Sequence, residues 1–205
     1  MAGTTLNNIG EAYRLQGRYE EALRVYQQAL EALPGIPSVE EITLSNIGGV
    51  HMAQGRYAEA LAKFQEALAI TRPLNNPARE GALLNNIGSV HGQQGRYAEA
   101  VATFTQALEI LQKVNDRVAQ STTFGNIGRV YVLQGRYTDA LANYRQALDL
   151  ARAVGSRAGE GLTLSSIGTV YQGQGHYAEA LRQYQLALSI QEEIGDYYGK
   201  SVTLN

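Results

Sequence analysis

The sequence contains no cysteine and only four prolines in 205 residues. Without cysteine the chain can form no disulfide, thiolate nucleophile or cysteine-based zinc site, and this absence is typical of a reducing cytoplasm. Few prolines argue against a disordered, linker-rich chain. The sequence also has no run of about 18 apolar residues, which a membrane-spanning helix needs, and its start lacks the pattern of a secretory signal. We therefore predict a cytoplasmic protein with no membrane partner.

An excess of charge of either sign is missing as well. The chain has 17 Lys and Arg against 19 Asp and Glu, which gives a net charge of −2. A near-neutral surface has no general attraction for nucleic acid, so we predict no nucleic-acid partner. Glycine, in contrast, is abundant, with 22 residues in a chain whose hydrophobic share of 44% is that of a globular protein.

The glycines and tyrosines recur at a fixed spacing. An Ile-Gly pair is followed seven residues later by a second glycine, and a tyrosine comes two residues after that. The pattern occurs five times at a nearly constant step, of which only the first is slightly shorter than the rest. The glycines of the Ile-Gly pairs are Gly10, Gly48, Gly88, Gly128 and Gly168; the tyrosines are Tyr19, Tyr57, Tyr97, Tyr137 and Tyr177. A repeat of this length predicts an array of small structural units.

Each repeat predicts two helices joined by a tight turn. In the first repeat, residues from Leu6 to Tyr13 fall at i, i+3, i+4 and i+7, and this spacing resumes from Tyr19 to Leu30. Gly17 lies between them, and glycine readily takes the left-handed conformation that ends a helix. Gly10, in contrast, lies inside a predicted helix, where glycine costs about 1 kcal/mol relative to alanine. We therefore predict that the Ile-Gly glycines permit close packing between helices.

The later repeats carry signals for helix starts. Ser38 with Glu41 three residues on matches a capping box, in which two side chains satisfy the first backbone N–H groups. Asn76, followed by proline, matches an N-cap. Asp116 and Ser156 are the candidate caps of the next two repeats.

These residues resemble the tetratricopeptide repeat pattern. The first repeat supplies Leu6, the Ile-Gly pair, Tyr13, Ala22, Tyr26, Ala29 and Pro34, and the resemblance extends from about residue 4 to 195. The large first residue is Leu or Phe124, never Trp, and the period is about 40 residues instead of about 34. This long form resembles the repeats of kinesin light chains, GoLoco-binding adaptors and bacterial signalling proteins. HEAT and armadillo arrays share the period but lack this glycine and tyrosine pattern.

The resemblance implies an all-α fold, a right-handed superhelical solenoid of helix-turn-helix hairpins. We expect a single array over residues 1–205, and its final segment aligns with the start of a repeat but stops where Ile-Gly should follow. This stop suggests a fragment of a larger protein. The predicted repeats are 4–35, 38–73, 77–114, 117–154 and 157–194, with 197–205 as the start of a truncated sixth.

Residues for catalysis, cofactors or metals do not stand out. His51 and His91 occupy the place of Tyr13 in the first repeat, and His176 takes the place of a turn arginine. The sequence has no phosphate-binding Gly-x-x-x-x-Gly-Lys-Ser/Thr loop, and the repeat places no pair of carboxylates to act as acid and base. We predict no enzyme, no cofactor and no metal site.

The resemblance implies that the first helices line a concave groove for a protein or peptide. One position of that face is nearly constant as asparagine, and in the resembled families an asparagine there can bind the main chain of an extended peptide. Bonds to a neighbouring hairpin, or plain solvation, are the alternatives. Of the wider groove positions only Glu11, Arg14 and Arg129 are charged. The candidate groove residues are Asn8, Asn46, Asn86, Asn126, Ser166, Asn85, Ser89 and Arg129.

We therefore predict a protein-interaction scaffold. The alternative is a self-associating solenoid, stacked end to end or swapped into a homo-oligomer, that serves as the regulatory or sensor arm of a larger signalling protein. A row of turn arginines offers one more feature, which fits a solvated edge, bonds to nearby carbonyls or an anionic partner. These arginines are Arg18, Arg56, Arg96 and Arg136.

Overall fold

The computed structural model describes residues 2–32 and 34–195. Within them the chain forms ten α-helices and no strand, and a short 3-10 helix, Arg72–Leu74, continues α4. The predicted sixth repeat, 197–205, lies outside the described residues. The helices are α1 Ala2–Leu15, α2 Tyr19–Ala32, α3 Pro37–Ala53, α4 Tyr57–Thr71, α5 Pro77–Gln93, α6 Tyr97–Lys113, α7 Arg117–Leu133, α8 Tyr137–Ala153, α9 Arg157–Gly173 and α10 Tyr177–Glu193.

The odd-numbered helices are the first helices of the hairpins, and the even-numbered ones are the second helices. Successive helices pack as hairpins, which confirms the predicted all-α fold of helix-turn-helix units. The chain divides into two compact units, Met1–Ala107 and Leu108–Asn205, called here the N-terminal and C-terminal units. In the part of the chain described, no helix is both long and apolar enough to cross a bilayer.

Every hairpin turns on a glycine in the left-handed conformation. Gly17 has a φ of +73°, and its four equivalents have φ values between +70° and +77°. The backbone N–H of the next residue then bonds back to the first helix, as from Arg18 to the carbonyl of Tyr13 at 2.9 Å. This bond satisfies a carbonyl that the helix end leaves free, so the turn prediction is confirmed.

The connections between hairpins are fixed by helix caps. The side chain of Asn76 accepts a hydrogen bond from the backbone N–H of Arg79 at 3.2 Å, and Asp116 and Ser156 accept equivalent bonds at the starts of α7 and α9. These three predicted caps are confirmed. Each follows a residue with positive φ, which is Asn75, Asn115 or a glycine.

The predicted capping box of Ser38 and Glu41 is wrong. Helix α3 begins at Pro37, its N-cap is Ile36, and no side chain caps it. Glu41 is instead only 4% exposed. Its carboxylate accepts two hydrogen bonds of 2.9 Å from the guanidinium of Arg79 and one of 3.3 Å from Thr71. Glu41 therefore joins α3 to α4 and α5.

Each glycine of an Ile-Gly pair lies against an aromatic ring from the second helix of its own hairpin. A Cβ atom at these glycines would lie only 2.4 to 2.8 Å from the nearest ring carbon. No side chain fits there without displacing the ring, and the close approach offsets the helix cost of glycine. The rings belong to Tyr26, Phe64, Phe104, Tyr144 and Tyr184.

Tyr19 and Tyr137, which begin second helices, pack between hairpins of the same unit. Tyr137 lies against the following first helix, where its hydroxyl would be 3.1 Å from a Cβ atom placed on Gly173. It packs against a hydrophobic cluster of the C-terminal unit that includes Leu141, Leu164 and Ile167. The equivalent Tyr177 is 72% exposed.

Candidate functional site

The predicted asparagine row places one residue on each first helix. In the N-terminal unit, Asn8 is exposed, and Asn46 and Asn86 are half-buried. In the C-terminal unit, Asn126 and Ser166 are half-buried on α7 and α9. The five positions are therefore not equally available to a partner.

Asn46 is occupied within the protein. Its amide donates a hydrogen bond to the side-chain oxygen of Asn7 on the preceding hairpin, at 3.2 Å. Asn7 is 6% exposed and donates in turn to the hydroxyl of Thr43 at 3.0 Å. These bonds join α1 to α3, so the Asn46 amide contributes to packing between hairpins.

Asn85 occupies the same repeat position as Asn7, and it too is buried, with 8% of its surface exposed. It therefore lies beneath the first-helix surface instead of on it. Ser89, one turn further along α5, is half-buried. Of these two predicted groove residues, Asn85 is therefore buried, whereas Ser89 is partly exposed at the surface.

Three of the predicted groove residues meet in one cleft of the C-terminal unit. The cleft has a volume of about 360 Å³ and lies between α7 and α9, with one ring from α8. Asn126 and Arg129 come from α7, and Ser166 comes from α9. The remaining lining residues are Ser121, Thr122, Gly125, Tyr144, Gly159, Leu162 and Thr163.

Most hydroxyl groups in this cleft already donate to backbone carbonyls. Ser166 donates to the carbonyl of Leu162 at 3.0 Å, and Ser121 donates to that of Ala147 at 2.8 Å. The Asn126 amide, in contrast, forms no hydrogen bond with any residue that the structure describes. Its two donors and its acceptor are therefore available to a ligand.

Tyr144 is the aromatic residue in the lining of the cleft. Its side chain packs on Gly128 and is 6% exposed. Burial raises the pKa of the Tyr144 hydroxyl, while the charge of Arg129 and the Ser166 hydroxyl act in the opposite direction. The hydroxyl therefore keeps its proton at neutral pH and can donate a hydrogen bond.

The charged groove positions of the first hairpin neutralise each other. The guanidinium of Arg14 donates two hydrogen bonds to the carboxylate of Glu11, at 2.6 and 2.7 Å. These bonds lower the pKa of Glu11, and Tyr26 also approaches that carboxylate at 3.5 Å. Arg129 forms no such ion pair with a described residue.

Three of the four turn arginines, Arg18, Arg56 and Arg136, are paired with an acid. Arg96 donates to the side chain of Gln94, and its Nε forms no hydrogen bond with a described residue. Arg18 pairs with Glu21 at 2.9 Å and lies over the ring of Tyr13 at 4.4 Å. Arg136 repeats both contacts, with Asp139 at 2.7 Å and with the Tyr131 ring at 4.5 Å. A cation held by an acid and a ring has less to offer an anionic partner.

His51 and His91 are packing residues of first helices, whereas His176 is exposed at the turn before α10. His51 is 9% exposed; burial first, and then the charge of Arg56, lower its pKa. The pKa of His91 is lowered in the same way by burial and then by Arg96. Within residues 2–32 and 34–195, no three metal-ligating side chains come together.

Tyr144 and Leu162 are two of the cleft residues that the sequence analysis did not predict. Tyr144 follows Gly128 at the offset that separates the aromatic residue from the Ile-Gly pair in every repeat, and this fixed offset could have placed its hydroxyl near the first helix. Leu162 is 67% exposed on α9, where it lines the cleft. No periodic signal marks it, because its helix face is otherwise polar.

Comparison with known proteins places the chain among helical repeat proteins. Family models described as tetratricopeptide repeat match residues 40–113 and 117–193, and a second model of the same description matches residues 4–35. None of the curated proteins matches the sequence significantly.

Solved structures resemble the fold at low identity. A BtubC structure from P. vanneervenii is 18% identical, with a TM-score of 0.76 over 94% of this chain and 81% of that one. A putative kinesin light chain from Podosopora anserina, with nearly identical TPR-like repeats, is 16% identical, with a TM-score of 0.72 over 94% and 95%.

A Rap protein in complex with Competence and Sporulation Factor has a higher structural similarity. It is 16% identical, with a TM-score of 0.85 over 97% of this chain, but this chain spans only 56% of its length. At such identities these likenesses show the fold alone.

Proposed function

The chain belongs to the tetratricopeptide repeat family, and we propose that it is a scaffold that holds an extended polypeptide segment against its first helices. The family models cover most of the sequence, which confirms the resemblance inferred from the glycines and tyrosines. The cleft between α7 and α9 is the proposed binding site. Its lining includes Asn126, Arg129 and Ser166.

The Asn126 amide carries this proposal. A peptide group presents one N–H and one C=O, and an asparagine side chain can pair with both. Asn126 makes no hydrogen bond within the described residues, and it lines a cleft of about 360 Å³. Since the lining is mostly small and uncharged, main-chain hydrogen bonds would dominate the contact, and side-chain selectivity would be weak except beside Arg129.

The Rap structures support the same mode of use. One Rap protein is complexed with Competence and Sporulation Factor, and another, of plasmid pLS20, is complexed with the Phr* peptide. This chain shares their fold over 97% and 95% of its length. A peptide or protein partner is therefore the proposed ligand class.

The experiment begins with a displayed library of random 12-residue peptides, selected on the full chain. Binding of a selected peptide is then measured by fluorescence anisotropy. We expect Asn126→Ala to raise Kd about three- to tenfold, because one or two neutral hydrogen bonds are lost. Gln146→Ala, at an exposed position of α8 outside the cleft, is the matched control.

Far-UV circular dichroism distinguishes a lost contact from a lost fold. Helix content should be unchanged in both variants, because Asn126 bonds to no described residue. The proposal fails if no peptide is selected, or if Asn126→Ala and Gln146→Ala bind selected peptides equally well. Unfolding of Asn126→Ala would show that the amide is structural.

A non-catalytic, cytoplasmic role completes the proposal. The repeats of this family generally serve as scaffolds, and the cysteine-free sequence suits a reducing compartment. Fractionation of the source cells with an antibody against the chain tests the location. Recovery in a secreted fraction would refute it.

A second candidate function is self-association through α10. Leu141 of α8 is 9% exposed because the following hairpin covers it, whereas the equivalent Leu181 of α10 is 57% exposed beside the exposed Tyr177. This face matches the one that α8 presents to its neighbour. A second copy of the chain could cover it, at a gain of about 1.5 kcal/mol or more per buried leucine.

Light scattering after size exclusion tests this candidate at several concentrations. We expect a dimer or larger species that Leu181→Glu converts to monomer. Leu186→Glu is the control, since Leu186 is 52% exposed and its equivalent in α8 is the exposed polar Gln146. A wild-type monomer at high concentration would exclude self-association.

A further inference from the structure

Arg129 is the one charged residue among those that line the cleft between α7 and α9. It is exposed on α7, and within the described part of the chain no carboxylate lies at ion-pair distance from it. The first hairpin shows the other arrangement, in which Arg14 is held by Glu11 at 2.6 Å. The Arg129 charge is therefore not neutralised within its unit.

The surroundings of Arg129 favour a negative group from a partner. The other lining residues are uncharged, so no acid competes for the guanidinium and no second cation repels it. The nearby Tyr144 hydroxyl, which keeps its proton, offers one more donor. A carboxylate can accept two parallel hydrogen bonds from a guanidinium, which adds directional preference to the attraction of opposite charges.

We propose that Arg129 selects an acidic residue, Asp or Glu, in the extended segment that the cleft binds. This inference rests on the proposed function, because it assumes that the segment lies along Asn126. Leu162 is 67% exposed in the same cleft, so the segment also carries an apolar residue to cover it. The partner is therefore an extended segment that combines one acid with a nearby apolar side chain.

The sequence assigns this selectivity to the fourth hairpin. The position of Arg129 is held by Glu11, Gly49, Ser89 and Thr169 in the other hairpins. No other hairpin carries a cation there, so the acidic residue has one place on the first-helix surface. Arg129 thus sets the register of a segment that Asn126 binds through its main chain.

The experiment selects the same random 12-residue library in parallel on the wild-type chain and on Arg129→Ser, which copies the residue of the third hairpin. We expect Asp or Glu to be enriched at one position of the wild-type binders and not among the variant's binders. Arg129→Asp should instead enrich Lys or Arg. Equal acid frequencies on wild type and Arg129→Ser would overturn the inference.

A double-mutant cycle with one selected peptide gives a second readout. Arg129→Ser and replacement of the peptide acid by its amide should each raise Kd about tenfold, with no further loss when combined. Salt should weaken binding of the wild type more than that of the variant, because an exposed ion pair is screened. Additive losses would overturn the inference.

The two proposals fail differently. If selected peptides depend on Asn126 but show no acid preference, the cleft binds main chain and only the role of Arg129 is refuted. If peptides carry the acid but Asn126→Ala binds them as the wild type does, main-chain binding by the amide is refuted. If no peptide depends on either residue, both proposals fall.

Discussion

The neighbouring glycines Gly48 and Gly49 of α3 should respond in opposite ways to the same change. A Cβ atom on Gly48 would lie 2.8 Å from Cε1 and 2.9 Å from Cδ1 of Phe64, a ring that is 1% exposed. A Cβ atom on Gly49 would meet nothing within 4 Å. Both glycines lie inside the helix, so alanine gains the same helix propensity at either position.

The expected changes in the free energy of unfolding follow from helix propensity and from the contact with the Phe64 ring. Gly49→Ala should raise the free energy of unfolding by about 1 kcal/mol, the helix-propensity difference between glycine and alanine. Gly48→Ala gains the same amount but also forces the Phe64 ring aside, and overpacking of a core costs about 1 to 3 kcal/mol. Because ordinary contacts begin near 3.4 Å, we take the upper half of that range. The difference between overpacking and propensity leaves Gly48→Ala less stable than the wild type by about 1 to 2 kcal/mol.

Urea unfolding followed by far-UV circular dichroism measures both variants against the wild type. The midpoints should move in opposite directions, upward for Gly49→Ala and downward for Gly48→Ala, with slopes that stay close to the wild-type value. Trimming the ring by Phe64→Leu should reduce the penalty of Gly48→Ala in a double-mutant cycle. Equal midpoints for the two alanine variants would refute the ring contact as the reason for glycine.

Three other contacts can be tested by urea unfolding of single variants. Burial and the Arg56 charge lower the pKa of His51, so the unfolded chain binds more protons and the free energy of unfolding falls as the pH drops below about 6.5. His51→Tyr should reduce this loss of stability between pH 7 and 5. An unchanged loss would contradict His51 as its source. Asp116→Ala removes an N-cap and should cost about 1 kcal/mol, whereas a wild-type midpoint would show that the cap adds nothing. Arg152 lowers the pKa of Glu160, so this carboxylate stabilises the fold above its unfolded pKa near 4.5, and the stabilisation is lost as the pH falls through the folded pKa. Glu160→Gln should therefore make the free energy of unfolding less dependent on pH in the acid range. The same pH dependence as the wild type would refute this role of Glu160.

The turns and helix caps that depend only on residues a few positions apart in the chain were predicted correctly from the sequence. Gly17 ends a helix because its own φ must be positive, and Asn76 caps a helix through an N–H three residues away. Ser38 and Glu41 also have the local spacing of a helix cap, but the capping box predicted from it does not form. The helix starts at Pro37, two residues earlier than a Ser38 cap requires, and the Glu41 carboxylate is paired with Arg79, 38 residues along the chain.

The candidate site was predictable only in outline. Helix periodicity and family resemblance place the asparagine row on first-helix faces, but they do not show how deeply neighbouring hairpins cover each position. Asn46 bonds to Asn7 from 39 residues away, and Asn85 is buried. The cleft beside Asn126 depends on the Tyr144 ring and on the gap between α7 and α9. No spacing within one repeat encodes that gap.

Photo-crosslinking of a selected peptide tests the proposed binding site most directly. A photoreactive p-benzoylphenylalanine would replace Thr122, an exposed residue at the cleft, or Gln146, exposed on α8 outside it. The proposed cleft predicts that the peptide crosslinks at Thr122 and that excess unlabelled peptide removes the product. Crosslinking at Gln146 but not at Thr122 would contradict it.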